Sequence, residues 1–204
     1  SVLDIGCGTG RLLELLGQKG NLLRVGIELN IERASFARKT AQCDIYQIPV
    51  EKFIRHQNRE FDIITLMNVL SHIPSFDRLF DAIHSLLADH GKLILKVGEC
   101  TRNVKKDAYH DWGIPDHLHF LGMNTLAFIC REYGFKILRH ERLPLSEELF
   151  SKDRWETPGR SPIRNIIKQV VAATPLALPL LKKIYDLRSG QAVYSSFVVL
   201  TQNS

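Results

Sequence analysis

Along the chain, short runs of β-branched and aliphatic residues alternate with stretches whose apolar positions recur every third or fourth residue. The runs read as buried strands and the periodic stretches as amphipathic helices, an order that predicts βα units around a parallel sheet. "SVLDI" is a first strand and "RLLELLGQKG" a helix ended by glycine. "LLRVGIE" follows as a second strand, then "NIERASFARKT" as a helix capped by Asn30. "CDIYQI" predicts a third strand, "VEKFIRHQ" a short helix and "FDIITLM" a buried fourth strand. "FDRLFDAIHSLLAD" is an amphipathic helix and "GKLILKV" a fifth strand. Helix "NTLAFICREYGF", strand "FKILRHE" and a last strand "AVYSSFVVLTQ" complete the pattern.

Two stretches break this rhythm. Residues 98–123 form a polar, aromatic connection after the fifth strand, and residues 144–191 separate the last two strands. The second stretch is too long for a plain loop and is expected to hold helices of its own. The expected division is a core over 1–143, a helical insertion over 144–191 facing substrate or membrane, and a final core strand over 192–204. Both long stretches follow strands and can approach the strand C-termini, where open parallel sheets bind ligands.

Composition narrows the setting without naming a function. The chain has 204 residues, 45% of them hydrophobic and 24% charged, enough for one well-buried domain. Its longest apolar stretch, "VVAATPLALPLL", is well short of the ~20 residues needed to span a bilayer. Cys7, Cys43, Cys100 and Cys130 are scattered, with no CxxC pair, which predicts a cytoplasmic protein with reduced thiols. The net charge of +5 is modest and is carried in part by 160–188. There Ile163, Ile166, Ile167, Val170 and Val171 stand at helical spacing beside Arg160, Arg164, Lys168, Lys182, Lys183 and Arg188. Such a segment lies on an anionic membrane, or serves as a lid or dimer surface with one buried face.

The chemistry concentrates in "LDIGCGTG". Gly6, Gly8 and Gly10 follow the first strand where side chains would block close backbone approach. Arg11 stands where a dinucleotide fingerprint needs its third glycine, and no G-K-[ST] follows, so neither an NAD turn nor a P-loop is present. Asp4 at the strand end repels pyrophosphate and favours a ligand with a cationic group. Glu28, ending the second strand, can accept both hydroxyls of a ribose. Asp44 on the third strand can accept from an adenine amine, with Ile45 or Leu29 against the ring. The three acids together describe adenosine joined to an amino acid.

"LDIGCGTG" with "GIELN", "CDIYQ", "FDIITLMNVLSHIP" and "DHLHFLGMNTLAFICREYGFKIL" resembles the class I S-adenosylmethionine-dependent methyltransferases of small-molecule type. The resemblance runs over nearly the whole chain. It implies a Rossmann-like, doubly wound α/β fold whose seven-stranded, mostly parallel sheet has an antiparallel last strand. It also implies S-adenosyl-L-methionine as cofactor, with the methionine part held by Asp4, Gly6, Cys7, Gly8 and Gly10. Glu28 would then hold the ribose and Asp44 meet the adenine, with Ile45 or Leu29 against the ring, and Asn68, Val69, Leu70 and His72 would line the methyl-transfer site. The family carries a segment before the first strand that closes over the cofactor, and a chain starting inside that strand implies trimming.

The expected reaction is O- or N-methylation of a small molecule, lipid- or saccharide-linked acceptors included. His72 and His117 are the candidate catalytic bases, since imidazole titrates near neutral pH. The alternatives are an RNA or nucleic-acid methyltransferase and a non-catalytic cofactor-binding scaffold. "NVLS" after the fourth strand is not the [ND]-P-P-[FY] form used on nucleobase amines, which argues against nucleic acid. His110, His117, His119, Asp111 and Asp116 do not fix a third ligand at metal spacing, so no metal is expected.

Overall fold

The structure is a computed structural model that describes residues 1–57, 59–100, 118–119, 122–152, 155, 162–189 and 193–203. Seven strands form one sheet in the order β3-β2-β1-β4-β5-β7-β6. Strands β1 (Val2–Ile5), β2 (Arg24–Ile27), β3 (Asp44–Tyr46), β4 (Phe61–Met67) and β5 (Leu87–Cys100) pair in parallel. Strand β7 (Val193–Gln202) inserts antiparallel between β5 and β6 (Phe135–Pro144). This is the Rossmann-like, doubly wound arrangement anticipated above, antiparallel last strand included.

Strand alternation sorts the core onto two sheet faces. Val25 and Ile27 join Leu3, Ile5, α3 (Val50–Phe53), α4 (Phe76–Leu86) and α5 (Met123–Glu132) in the larger cluster. Gly26, between them, faces Leu13, Cys7 and Ile45 in a smaller cluster with α1 (Arg11–Gly17) and α2 (Ile31–Ala41). A methyl at position 26 would lie 2.6–2.8 Å from all three side chains, so glycine lets both helices close on the sheet. Arg24 ties this layer down by donating to the carbonyls of Leu13 and Ala41 at 2.8 and 2.9 Å.

Element boundaries depart from the periodicity where strand pairing overrides it. Helix α4 stops at Leu86 because Leu87 already pairs with Phe61. The pairing then jumps to Ile63 opposite Lys92, and the intervening bulge holds His90 at φ 61 beside Gly91. Between β6 and β7 lie α6 (Leu145–Leu149), α7 (Pro162–Ala173) and α8 (Ala177–Ser189). Helix α8 rests on α6 through Tyr185 against Phe150, ring centroids 5.7 Å apart, and a Lys182–Glu147 ion pair. Among the described residues, no helix is long and apolar enough to cross a membrane.

Candidate active site

The turn from β1 into α1 is held from below by β2. Gly6 and Cys7 both donate their N–H to the Ile27 carbonyl, at 2.7 and 2.9 Å, and Gly10 donates back to Cys7 at 2.9 Å. Gly8 donates to Glu28 Oε2 at 2.9 Å. With these donors engaged inside the protein, the loop has no cluster of free N–H groups for a phosphate. The three glycines do different work. All have positive φ, at 72°, 57° and 78°. A Cβ at Gly6 would fall 2.4 Å from Val69 Cγ2, and one at Gly10 would fall 3.0 Å from Ala37 Cβ. Only at Gly8 is the space open, with no atom within 4 Å. Gly6 and Gly10 therefore serve packing, while Gly8 leaves room for a ligand.

Glu28 is buried at 8% exposure, and both of its oxygens are oriented. Oε2 accepts from Gly8 and Oε1 from the backbone N–H of Asn30, at 2.8 Å. Asn30 in turn caps α2 through its side chain, accepting from Arg33 N at 3.0 Å. Each carboxylate oxygen keeps a second acceptor position, which suits a vicinal diol. Asp4 is more deeply buried, at 2%, and accepts from Thr65 Oγ1 at 2.6 Å. Burial pushes its carboxyl up to about 6; the Thr65 hydrogen bond opposes this and the nearby Glu28 charge adds to it. Among the described residues neither acid has a cationic partner. Two buried acids side by side without a cation fit a positively charged ligand, which is what a sulfonium amino-acid nucleoside brings.

A cavity of about 530 Å³ opens at the C-terminal ends of β1, β2 and β4. Ile5, Gly6, Ile27, Glu28, Leu29 and Val69 form one part of its wall, Pro49, Val50 and Glu51 another. The far side is the turn Leu70–His72 and the segment leading into α4, including His72, Ile73, Pro74, Ser75 and Arg78. The backbone N–H of His72 donates to the Val69 carbonyl at 2.9 Å, fixing where the imidazole starts. His119 closes over this turn, its Nε2 lying 3.0 Å from the Ile73 carbonyl and its ring 4.5 Å from that of Phe76.

The site thus unites Gly6, Gly8, Glu28, Leu29, Val69 and His72 and leaves other expected residues elsewhere. Asp44 is exposed at the start of β3, opposite Val25, two residues short of the edge where Glu28 stands. Ile45 packs against Gly26, Cys7 and Leu13, on the sheet face opposite the cavity-lining Ile27. Cys7 contributes backbone only. Burial, reinforced by Asp4 and Glu28, pushes its thiol up to about 12, which makes it inert. Asp4 lies beneath the loop and is not on the cavity wall, so its charge acts through the field and through Thr65. Asn68 is exposed, at φ 59, and donates its N–H to the Lys96 carbonyl at 2.8 Å just outside the cavity. His110, His117, Asp111 and Asp116 lie outside the described residues; among those described, no group of side chains could hold a metal. Pro49, Val50, Glu51 and Arg78 escaped the sequence reading. The signal for the first three was Pro49, a helix-starting residue directly after the third strand.

Residues 1–140 match a family described as a methyltransferase domain. The chain belongs to this methyltransferase-domain family. Its sheet order and glycine turn place it with the class I, S-adenosylmethionine-dependent members. This methyltransferase-domain protein is 35% identical over 172 residues to a ubiquinone biosynthesis O-methyltransferase of Psychrobacter arcticus, covering 76% of this chain and 65% of that protein. It is 27% identical over 175 residues to the protein of that name from Acinetobacter baylyi, covering 78% and 71%. Other curated relatives are matched over only 40–50% of their length. Its fold is also that of a methyltransferase from Thiobacillus denitrificans solved with S-adenosyl-L-homocysteine, at TM-score 0.64 and 12% identity, covering 99% of this chain and 84% of that one.

Proposed function

We propose that this methyltransferase-domain protein binds S-adenosylmethionine at the Gly6–Glu28 edge and methylates a hydroxyl on a small, largely apolar acceptor in the adjoining cavity. The observation that carries the reading is Glu28, with both oxygens pre-set by backbone donors, over a second buried acid, Asp4, that has no cationic partner among the described residues. The names of the relatives, O-methyltransferases of ubiquinone biosynthesis, support an oxygen acceptor on a small molecule.

When bound, the cofactor supplies a methyl on a positively charged sulfur, ready for in-line displacement. The residues of this chain then have three tasks. Glu28 orients the ribose by accepting its hydroxyls. The apolar wall of Ile5, Ile27, Leu29, Val50 and Val69 excludes water, and alignment in such a site supplies up to several kcal/mol of the barrier, ~7 in favourable cases. His72, across the cavity, takes the proton from the acceptor hydroxyl as that oxygen becomes a nucleophile.

The direct test is methyl transfer to a panel of phenols and catechols, with S-adenosylmethionine and NADH compared by calorimetry. Binding of NADH in place of S-adenosylmethionine would refute the cofactor assignment. His72→Ala is expected to lower turnover by about 100-fold and leave the cofactor Kd unchanged. It should also remove the limb of the pH–rate profile that reports the base. Turnover equal to that of the unaltered protein removes His72 from the mechanism.

Asp4 gives a second, pH-based check. Its folded-state value of about 6 lies above the ordinary 3.8, so the folded chain holds a proton that the unfolded chain releases first. Stability from this group is therefore present below pH 3.8 and is lost as pH rises toward 6, a loss of ~3 kcal/mol. Asp4→Asn should make the ligand-free protein more stable than the unaltered one at pH 7 and nearly equal to it at pH 4. Urea melts across that range measure it.

A further inference from the structure

Helix α7 is amphipathic in sequence, yet its apolar stripe faces outward. Ile163, Ile166, Ile167 and Val170, spaced i, i+3, i+4, i+7, are 55–73% exposed, while Asn165 and Lys168 on the other side are partly buried. Helix α8 repeats the arrangement. Leu180, Ile184 and Leu187 are 43–68% exposed, and Leu176 in the turn between the helices is 78% exposed. The opposite side of α8 is committed to α6 through Tyr185 and Lys182. An ordinary soluble surface scatters such side chains singly; eight large apolar side chains exposed between Ile163 and Leu187 mark a docking face.

We infer that the α7–α8 hairpin lies on an anionic lipid bilayer, its apolar stripe entering the interface and its basic residues meeting the headgroups. Charge selects this occupant. Residues 162–189 carry five basic residues (Arg164, Lys168, Lys182, Lys183, Arg188) and one acid, Asp186, and of the basic ones Lys168 and Lys182 lie on the side away from the stripe. Lys183 and Arg188 are exposed beside the stripe. Two copies meeting face to face would bring two such basic sets together, whereas anionic headgroups complement them. Helices of 12 and 13 residues lie in an interface and do not span it. Strand β6 runs parallel to β5, because both are antiparallel to β7, so α6 leaves the sheet at the edge where the cavity opens. The hairpin carried by α6 would thus hold the cavity edge toward the lipid. The inference stands on exposure and charge and does not depend on the methylation reading.

Flotation of the full chain with vesicles tests it. Vesicles of phosphatidylglycerol in phosphatidylcholine should retain the protein at low salt and release it as salt rises, and phosphatidylcholine alone should retain little. Ile167→Asp combined with Leu180→Asp should cut retention by about tenfold or more, with the melting temperature unchanged because both side chains are exposed. Lys183→Glu combined with Arg188→Glu should cut it by about fivefold per residue. Failure to float with anionic vesicles overturns the inference, as does undiminished flotation of the Ile167→Asp/Leu180→Asp protein. Self-association that this double variant abolishes, seen without vesicle binding, would assign the face to a second copy instead.

Discussion

Glu28→Gln is expected to weaken S-adenosylmethionine binding by about 100-fold, read by titration calorimetry, in a protein that still folds. In the native chain both carboxylate oxygens already accept a backbone N–H, from Gly8 and from Asn30, and each offers one further acceptor position. Hydrogen bonds to a charged acceptor contribute ~1.5–3 kcal/mol each and those to a neutral one ~0.5–1.5, so losing the charge at a diol costs ~1–1.5 kcal/mol twice, which is about 100-fold. Glutamine keeps one oxygen and turns an NH₂ toward the other backbone donor, so one N–H loses its partner and the side chain its fixed pose. It also removes one of two acids that make the edge attractive to a cation. Affinity within a few-fold of the unaltered protein would show that the ribose is held elsewhere.

The second large effect separates glycines that sequence alone treats as equivalent. Gly6→Ala should lower stability by ~3 kcal/mol and the melting temperature by roughly 10 °C. The new methyl meets Val69 Cγ2 at 2.4 Å on a backbone at φ 72, and valine, branched at Cβ, has little freedom to turn aside. Gly8→Ala meets nothing within 4 Å and should cost only the ~1 kcal/mol of a left-handed alanine. Its effect should appear in cofactor affinity instead, because its methyl enters the space left open at the turn. Thermal melts and calorimetry on the two proteins should give opposite profiles. A Gly8→Ala protein that binds S-adenosylmethionine normally would show that the ligand does not approach this turn.

The parallel sheet was legible because it rests on a local pattern, and its antiparallel last strand followed from the family resemblance. Alternating strands and helices declare a parallel sheet, and D-x-G-x-G-x-G followed by an acid after the second strand marks one edge of it. The adenine side was not legible in the same way. Asp44 was singled out for its residue type, but its role turns on register, and the pairing of Asp44 with Val25 puts it at the wrong end of its strand. Ile45 is set apart for a different reason, since one step along a strand reverses the face and it packs with Gly26, Cys7 and Leu13. Arg78 reaches the cavity only because α4 begins beside it, a tertiary fact that helical periodicity does not carry. The outward stripe of α7 is similar: its spacing was plain in the sequence, but an amphipathic pattern says that one face is apolar and not which way it turns.

Strand β7 has a consequence for the order in which the molecule can assemble. It comes after the other six in the chain, yet it lies between the fifth and the sixth, and among the described residues β6 has no other neighbour in the sheet. Until Val193–Gln202 has left the ribosome, β6 waits without a hydrogen-bonding partner, and the hairpin that hangs from its end waits with it. The half with the proposed cofactor edge, β1 to β4, can close earlier, since β1–β2 and β2–β3 join consecutive strands and β4 ends at Met67. The nascent chain therefore completes its proposed cofactor edge first and anchors its greasy, basic hairpin only once β7 closes against β6.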